Sequence, residues 1–234
     1  MKQHAAFLPQ ISGFSMKAAL LFDLDGTLVD TDHLHLDAFN LLFAEHGFQV
    51  DRPTYTAKIM GKPNSGIAET FLPHLARDAA LALLARKEEA YRAMVGDLAP
   101  IAGLTELLDW AEAEGIPCGV VTNAPRANAE LVLDGLGLAH RFETLVIGDE
   151  LAQAKPHPLP YLTGLERLGA SPVQSVAFED SPSGMQAALG AGLTLVGLAT
   201  SLPPATMQGH GAHLAVRDYR DPRVRALIAQ RLAA

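Results

Sequence analysis

From Lys17 onward the chain alternates short apolar runs with stretches whose apolar positions recur at helical spacing. Six runs read as strands: Ala18 to Leu24, Pro117 to Thr122, Thr144 to Ile147, Ser175 to Phe178, Leu193 to Leu198, and a weaker one at Leu214 to Val216. Most are nearly continuous in aliphatic residues, as strands covered on both faces are. Between them Thr105 to Glu114, Arg126 to Leu136, Leu159 to Leu168 and Ser183 to Leu189 have helical length and spacing. Asp221 as N-cap and Pro222 in the first turn open a closing helix, with apolar repeats at Val224, Leu227, Ile228 and Leu232. Strands alternating with crossover helices predict an α/β fold, a parallel sheet with helices on both faces.

Residues 32–98 break this rhythm, because they contain helical patterns and no good strand. His33 to Glu45 carries Leu34, Ala38, Leu41 and Leu42 on one side and Leu36, Phe39 and Phe43 on another, so it predicts a helix packed between layers. Ala79 to Val95 predicts a second long helix. The insert leaves just after the first strand and returns at the Ala99-Pro100-Ile101-Ala102-Gly103 turn. Two short linkers then join a helical lobe to the sheet edge, an arrangement suited to a cap that opens and closes over a site. The expected division is a core from residues 16–31 and 99–234, a cap from 32–98, and an N-terminal extension over 1–15 with no clear period.

The 234 residues carry 49% hydrophobic and 19% charged side chains, enough apolar material for a folded core and too little charge for a disordered chain. A net charge of −8, with no basic stripe interleaved with aromatics, argues against nucleic acid as a partner. No run approaches the roughly 18 apolar residues of a membrane span, and no convincing signal peptide precedes Pro9. The single cysteine, Cys118, lies in an apolar stretch and reads as a buried thiol, which fits a reducing cytoplasm. A monomer or weak dimer is expected.

The candidate chemistry gathers where strands end. Phe22-Asp23-Leu24-Asp25-Gly26-Thr27 closes the first strand, and ligands of open parallel sheets bind at this edge. Asp23 and Asp25 are two residues apart, so a turn at Gly26 lets both carboxylates reach one pocket. Such a pair calls for a cation, and Mg²⁺ would keep Asp23 ionised as a nucleophile while Asp25 serves as acid and then base. Thr122-Asn123 ends the second strand and supplies a hydroxyl and an amide to a phosphate, although Thr and Asn before Pro125 also form an ordinary helix cap. Lys155, between prolines' reach in Lys155-Pro156-His157-Pro158, is placed to pair with Asp23 and a transferring phosphoryl group. Glu179-Asp180-Ser181 follows the fourth strand, where Asp180 offers a hard oxygen ligand and Glu179 a further one, direct or through water.

In order, Asp23-Leu24-Asp25-Gly26-Thr27, Thr122-Asn123, Lys155-Pro156 and Glu179-Asp180-Ser181 resemble the four motifs of the haloacid dehalogenase-like hydrolase superfamily, over about Lys17 to Val216. The insert is similar to the helical cap of the subgroup holding phosphoglycolate and sugar-phosphate phosphatases and β-phosphoglucomutases. The resemblance implies a Rossmann-like core, Mg²⁺ held by Asp23, Asp25, Glu179 and Asp180, an aspartyl-phosphate on Asp23, and a small phosphorylated metabolite as substrate. Dehalogenases of this superfamily lack the second acid, so Asp25 disfavours that reaction. Within the cap, His35, Lys62 and Lys87 are candidate substrate contacts by the same resemblance. Asn64 stands where the mutase carries a phosphate-clamping arginine, which favours hydrolysis over a phosphohexomutase, the alternative reading.

Overall fold

The computed structural model describes residues 17–233. The expected extension over residues 1–15 lies outside them. Six strands form one parallel sheet: β1 (Leu20–Phe22), β2 (Cys118–Thr122), β3 (Thr144–Ile147), β4 (Val176–Glu179), β5 (Thr194–Leu198) and β6 (Leu214–Val216). Their order is β3-β2-β1-β4-β5-β6, so β1 is central, and Phe22 sits in register with Val120 on one side and Phe178 on the other. Non-sequential neighbours require crossovers, which the helices supply. The predicted α/β class and parallel sheet are therefore the observed ones.

Side chains alternate along each strand, so each strand feeds two cores. Leu20 and Phe22 face the layer of α5 (Leu104–Ala113), α6 (Arg126–Gly135) and α10 (Pro222–Leu232), where Leu107, Val132, Val224 and Ile228 are buried. Ala19 and Leu21 face α7 (Leu159–Leu168), α8 (Pro182–Gly190) and the short α9 (Pro204–Gly209), with Tyr161, Leu165, Met185 and Met207. Phe22 stacks on Phe178 at 4.6 Å, and Tyr219 tilts against both rings while its hydroxyl donates to the Thr27 carbonyl at 3.0 Å. That bond anchors the loop following β1, the loop that carries the paired aspartates.

Four helices occupy the insert: α1 (Asp32–Ala44), α2 (Arg52–Lys58), α3 (Asn64–Phe71) and α4 (Arg77–Met94). They bury a cluster of their own around Phe39, Phe43, Tyr55, Ile67 and Leu84. Asp51 caps α2 by accepting from the Thr54 amide at 2.9 Å. Among the described residues no helix is long and apolar enough to cross a membrane.

Candidate active site

β1 ends by sending Asp23 into the gap between β2 and β4, with its amide still donating to the Phe178 carbonyl at 3.0 Å. The chain then turns at Gly26, whose φ of +77° is left-handed, and whose amide donates to the Val29 carbonyl at 2.7 Å. A side chain there would also run into the Asp180 carboxylate, so glycine is required twice over. The turn delivers Asp23 beside the end of β4. Asp23, Glu179 and Asp180, all buried, offer oxygens within 4.8 Å of one another.

Lys155 is the buried counter-charge. Its Nζ donates to Asp23 Oδ1 at 2.6 Å and to Glu179 Oε1 at 2.5 Å. Glu179 Oε1 also accepts from the Tyr161 hydroxyl at 2.7 Å, and Oε2 from the Ser181 hydroxyl at 3.2 Å. Glu179 is thus committed to holding Lys155, and Gly184 permits its position, because a Cβ at Gly184 would overlap that carboxylate. Three acids still face one ammonium. Burial first, with repulsion from Glu179 and Asp25, pushes Asp23 well above the usual carboxylate range despite Lys155. Burial, then repulsion from Asp32, Asp23 and Glu179, does the same to Asp180. Asp180 Oδ2 is buried without a hydrogen-bond partner. An unpaired carboxylate oxygen beside two other acids is the donor set a hard divalent cation fits.

Asp25 points to the cap side instead. Its Oδ1 accepts from the Thr31 hydroxyl at 2.5 Å, lies 3.4 Å from His35 Nε2, and is approached by the Tyr91 hydroxyl at 3.5 Å. Burial alone would raise it, but the neighbouring His35, the Thr31 hydrogen bond and Lys87 together hold Asp25 below its ordinary value. The carboxylates two residues apart therefore sit in opposite electrostatic surroundings.

The remaining expected residues divide. Thr122 Oγ1 accepts from the Ala124 amide at 2.9 Å, leaving its own hydroxyl proton free for the pocket it lines. Asn123 has both amide protons taken, by the Gly61 carbonyl at 2.9 Å and the Lys155 carbonyl at 3.0 Å, so its side chain ties insert to core rather than offering a free donor. Ser183 reinforces that tie by donating to the same Gly61 carbonyl at 2.6 Å. Lys62 is exposed at the pocket rim. Lys87 is buried with Nζ 2.8 Å from His35 Nδ1 and 3.1 Å from Glu88 Oε2.

Sequence reasoning passed over Asp32, Thr31, Glu88 and Tyr161. Asp32 lines the pocket, accepts from the Tyr55 hydroxyl at 3.0 Å and from the Ser201 hydroxyl, and pairs with Arg52 at 3.3 Å. It opens α1, where an acid is ordinary beside the helix dipole, so its type and position alone do not mark it. Glu88 stands in the run Lys87-Glu88-Glu89, and only tertiary burial distinguishes it from Glu89.

Comparison with known proteins bears on this geometry. A family model described as haloacid dehalogenase-like hydrolase matches residues 20–198. The chain belongs to that family. Among curated haloacid dehalogenase-like relatives, validoxylamine A 7'-phosphate phosphatase of Streptomyces hygroscopicus subsp. limoneus is 35% identical over 190 residues, covering 80% of this chain and 87% of that protein. A phosphoglycolate phosphatase of Xylella fastidiosa (strain Temecula1 / ATCC 700964) is 34% identical over 187 residues, covering 80% and 82%. The crystal structure of Rhodobacter sphaeroides CbbY in complex with xylulose-(1,5)bisphosphate superposes with a TM-score of 0.78 at 29% identity, covering 88% of this chain and 96% of that one.

Proposed function

We propose that this haloacid dehalogenase-like protein is a Mg²⁺-dependent phosphatase that hydrolyses a small phosphate monoester through an aspartyl-phosphate on Asp23. The chain is a phosphoric monoester hydrolase: it belongs to a hydrolase family and is 34% and 35% identical to two named phosphatases. The observation that carries the mechanism is the strand-end cluster, where Asp23 meets Lys155 and an unpartnered Asp180 oxygen.

Asp23, Asp180 and the Asp25 main-chain carbonyl are the groups that would hold Mg²⁺, since Glu179 is engaged by Lys155 and Tyr161. When bound, the ion supplies positive charge that offsets the paired acids and the phosphate dianion. An Asp23 carboxylate oxygen attacks phosphorus, forming an acyl phosphate as the P–O ester bond breaks. Lys155 fixes the nucleophile through Oδ1, and the Thr122 hydroxyl donates to a phosphate oxygen. Asp25 is ionised in the free enzyme, and an arriving phosphate dianion favours its protonated form, so it can pass that proton to the departing alkoxide. It then takes a proton from the water that attacks the acyl phosphate, releasing inorganic phosphate and restoring Asp23.

Transfer to a second sugar phosphate is the less favoured reading. Asn64 donates to Glu88 at 3.0 Å, so the pocket wall has an amide bound to an acid where a clamp would need a free cation. Hydrolysis of p-nitrophenyl phosphate with Mg²⁺ tests the proposal. Turnover should vanish with a chelator and fall by about 10⁴-fold or more in Asp23→Asn without loss of fold, because nucleophile and ion act as a unit. Substantial turnover by the variant contradicts the nucleophile assignment.

A further inference from the structure

The wall facing the departing alcohol is built from the insert, and its polar groups form one closed set. Lys87, Glu88 and His35 are all buried. Lys87 spends two of its three N–H donors on His35 Nδ1 and Glu88 Oε2 and sits 4.3 Å from the centre of the Phe39 ring. Glu88 accepts from Asn64 at 3.0 Å, from Asn128 at 2.7 Å and from Lys87 at 3.1 Å, filling three of its roughly four acceptor positions. The pair is electrically neutral. Around it the pocket is lined by Phe39, Tyr55, Ile59, Met60 and Ile67, and by the acids Asp25 and Asp32. Asp32 is already held by Tyr55, Ser201 and Arg52.

One donor on Lys87 and one acceptor position on Glu88 match an alcohol hydroxyl, which both donates and accepts. They do not match an anion. A carboxylate or second phosphate placed here would face Glu88 and Asp32, with the charge of Lys87 already taken. Lys62, exposed at the rim, is the remaining lysine of the lining. We infer that this enzyme selects by the charge of the leaving group, hydrolysing monophosphates of uncharged polyhydroxy alcohols and discriminating against esters whose alcohol carries a carboxylate or a second phosphate. The inference rests on the phosphatase reading and narrows its substrate class.

Two matched pairs test it: ethylene glycol monophosphate against phosphoglycolate, which differ by a hydroxymethyl for a carboxylate, and fructose 1-phosphate against fructose 1,6-bisphosphate. In each pair kcat/KM should favour the uncharged alcohol by about tenfold or more, as expected for like charges brought together in a pocket. Glu88→Gln keeps one acceptor oxygen and removes the charge, so it should narrow the preference severalfold, mainly through KM of the anionic member. Turnover of p-nitrophenyl phosphate with equal or reversed preference in both pairs overturns the charge filter while the phosphatase reading stands. The same follows if Glu88→Gln folds, turns over p-nitrophenyl phosphate and keeps the full preference. Absence of p-nitrophenyl phosphate turnover by the wild type overturns the phosphatase reading, and the filter with it.

Discussion

At the strand ends Asp23, Glu179 and Asp180 face a single ammonium, Lys155, and one Asp180 oxygen has no partner; in the insert Lys87 faces a single carboxylate, Glu88, whose oxygens are held by two amides as well. Both sets are buried, so neither imbalance nor balance is screened by solvent. The first set is under-compensated, so a cation entering it should add stability. The second is complete without a ligand, so it loses when an unpaired charge is brought in. On the proposed reading, chemistry and selection separate by element: strand tips supply the reactive acids, and helices α1, α3 and α4 carry the neutral, hydrogen-bonding set.

The comparison breaks most severely at Asp180. Asp180→Asn should reduce phosphatase activity by on the order of 10³-fold or more, while removing repulsion from the metal-free protein. Its melting temperature without metal should equal or exceed that of the wild type, and stabilisation by Mg²⁺, about 2.7 kcal/mol at 100-fold over Kd, should fall by about half or more. Calorimetric melts with and without Mg²⁺ check both halves. Next comes Gly184→Ala, which forces the Glu179 carboxylate away and with it Lys155. Moving Lys155 by an ångström should cost about 10²-fold, visible in kcat of p-nitrophenyl phosphate hydrolysis.

In the balanced set the expected penalty is to folding. Glu88→Ala leaves Lys87 buried and without its carboxylate and should cost about 3 to 5 kcal/mol in denaturant unfolding, whereas Glu88→Gln keeps the side-chain volume and one of the two acceptor oxygens and should cost less. The smallest effect is in pH. Burial raises Glu88, but Lys87, His35 and Asn64 hold it below its ordinary value of 4.5. A depressed folded value contributes stability above the unfolded value and loses it as pH falls through the folded one. Wild-type unfolding midpoints should therefore drop more steeply below about pH 4.5 than those of Glu88→Gln, and parallel curves would contradict the depressed carboxyl.

Much of the first region was legible because strand ends are marked in sequence. The runs Cys118–Thr122 and Thr144–Ile147 are apolar because both faces are covered, and the Asp, Thr-Asn, Lys-Pro and Glu-Asp signals stand just beyond such runs or beside them. β1 spans Leu20–Phe22, shorter than Ala18 to Leu24, and the chain turns at Gly26 soon after Asp23. The short α2, α3 and α9 were not singled out: six to eight residues flanked by prolines or turns give little period to detect. The second region was scarcely legible. His35 and Lys87 drew notice only through family resemblance, and nothing in Lys87-Glu88-Glu89 tells which acid is buried until α1 and α6 are packed beside α4. Asn128, which holds Glu88 and accepts from Arg92 at 2.8 Å, belongs to a core helix 40 positions away.

Titration of the metal-free protein with Mn²⁺, followed by electron paramagnetic resonance, bears most directly on the strand-end cluster. The wild type should bind one ion saturably, with competition by Mg²⁺, and Asp180→Asn should bind at least about tenfold more weakly. Equal binding by the two proteins, or binding by neither, would contradict the account.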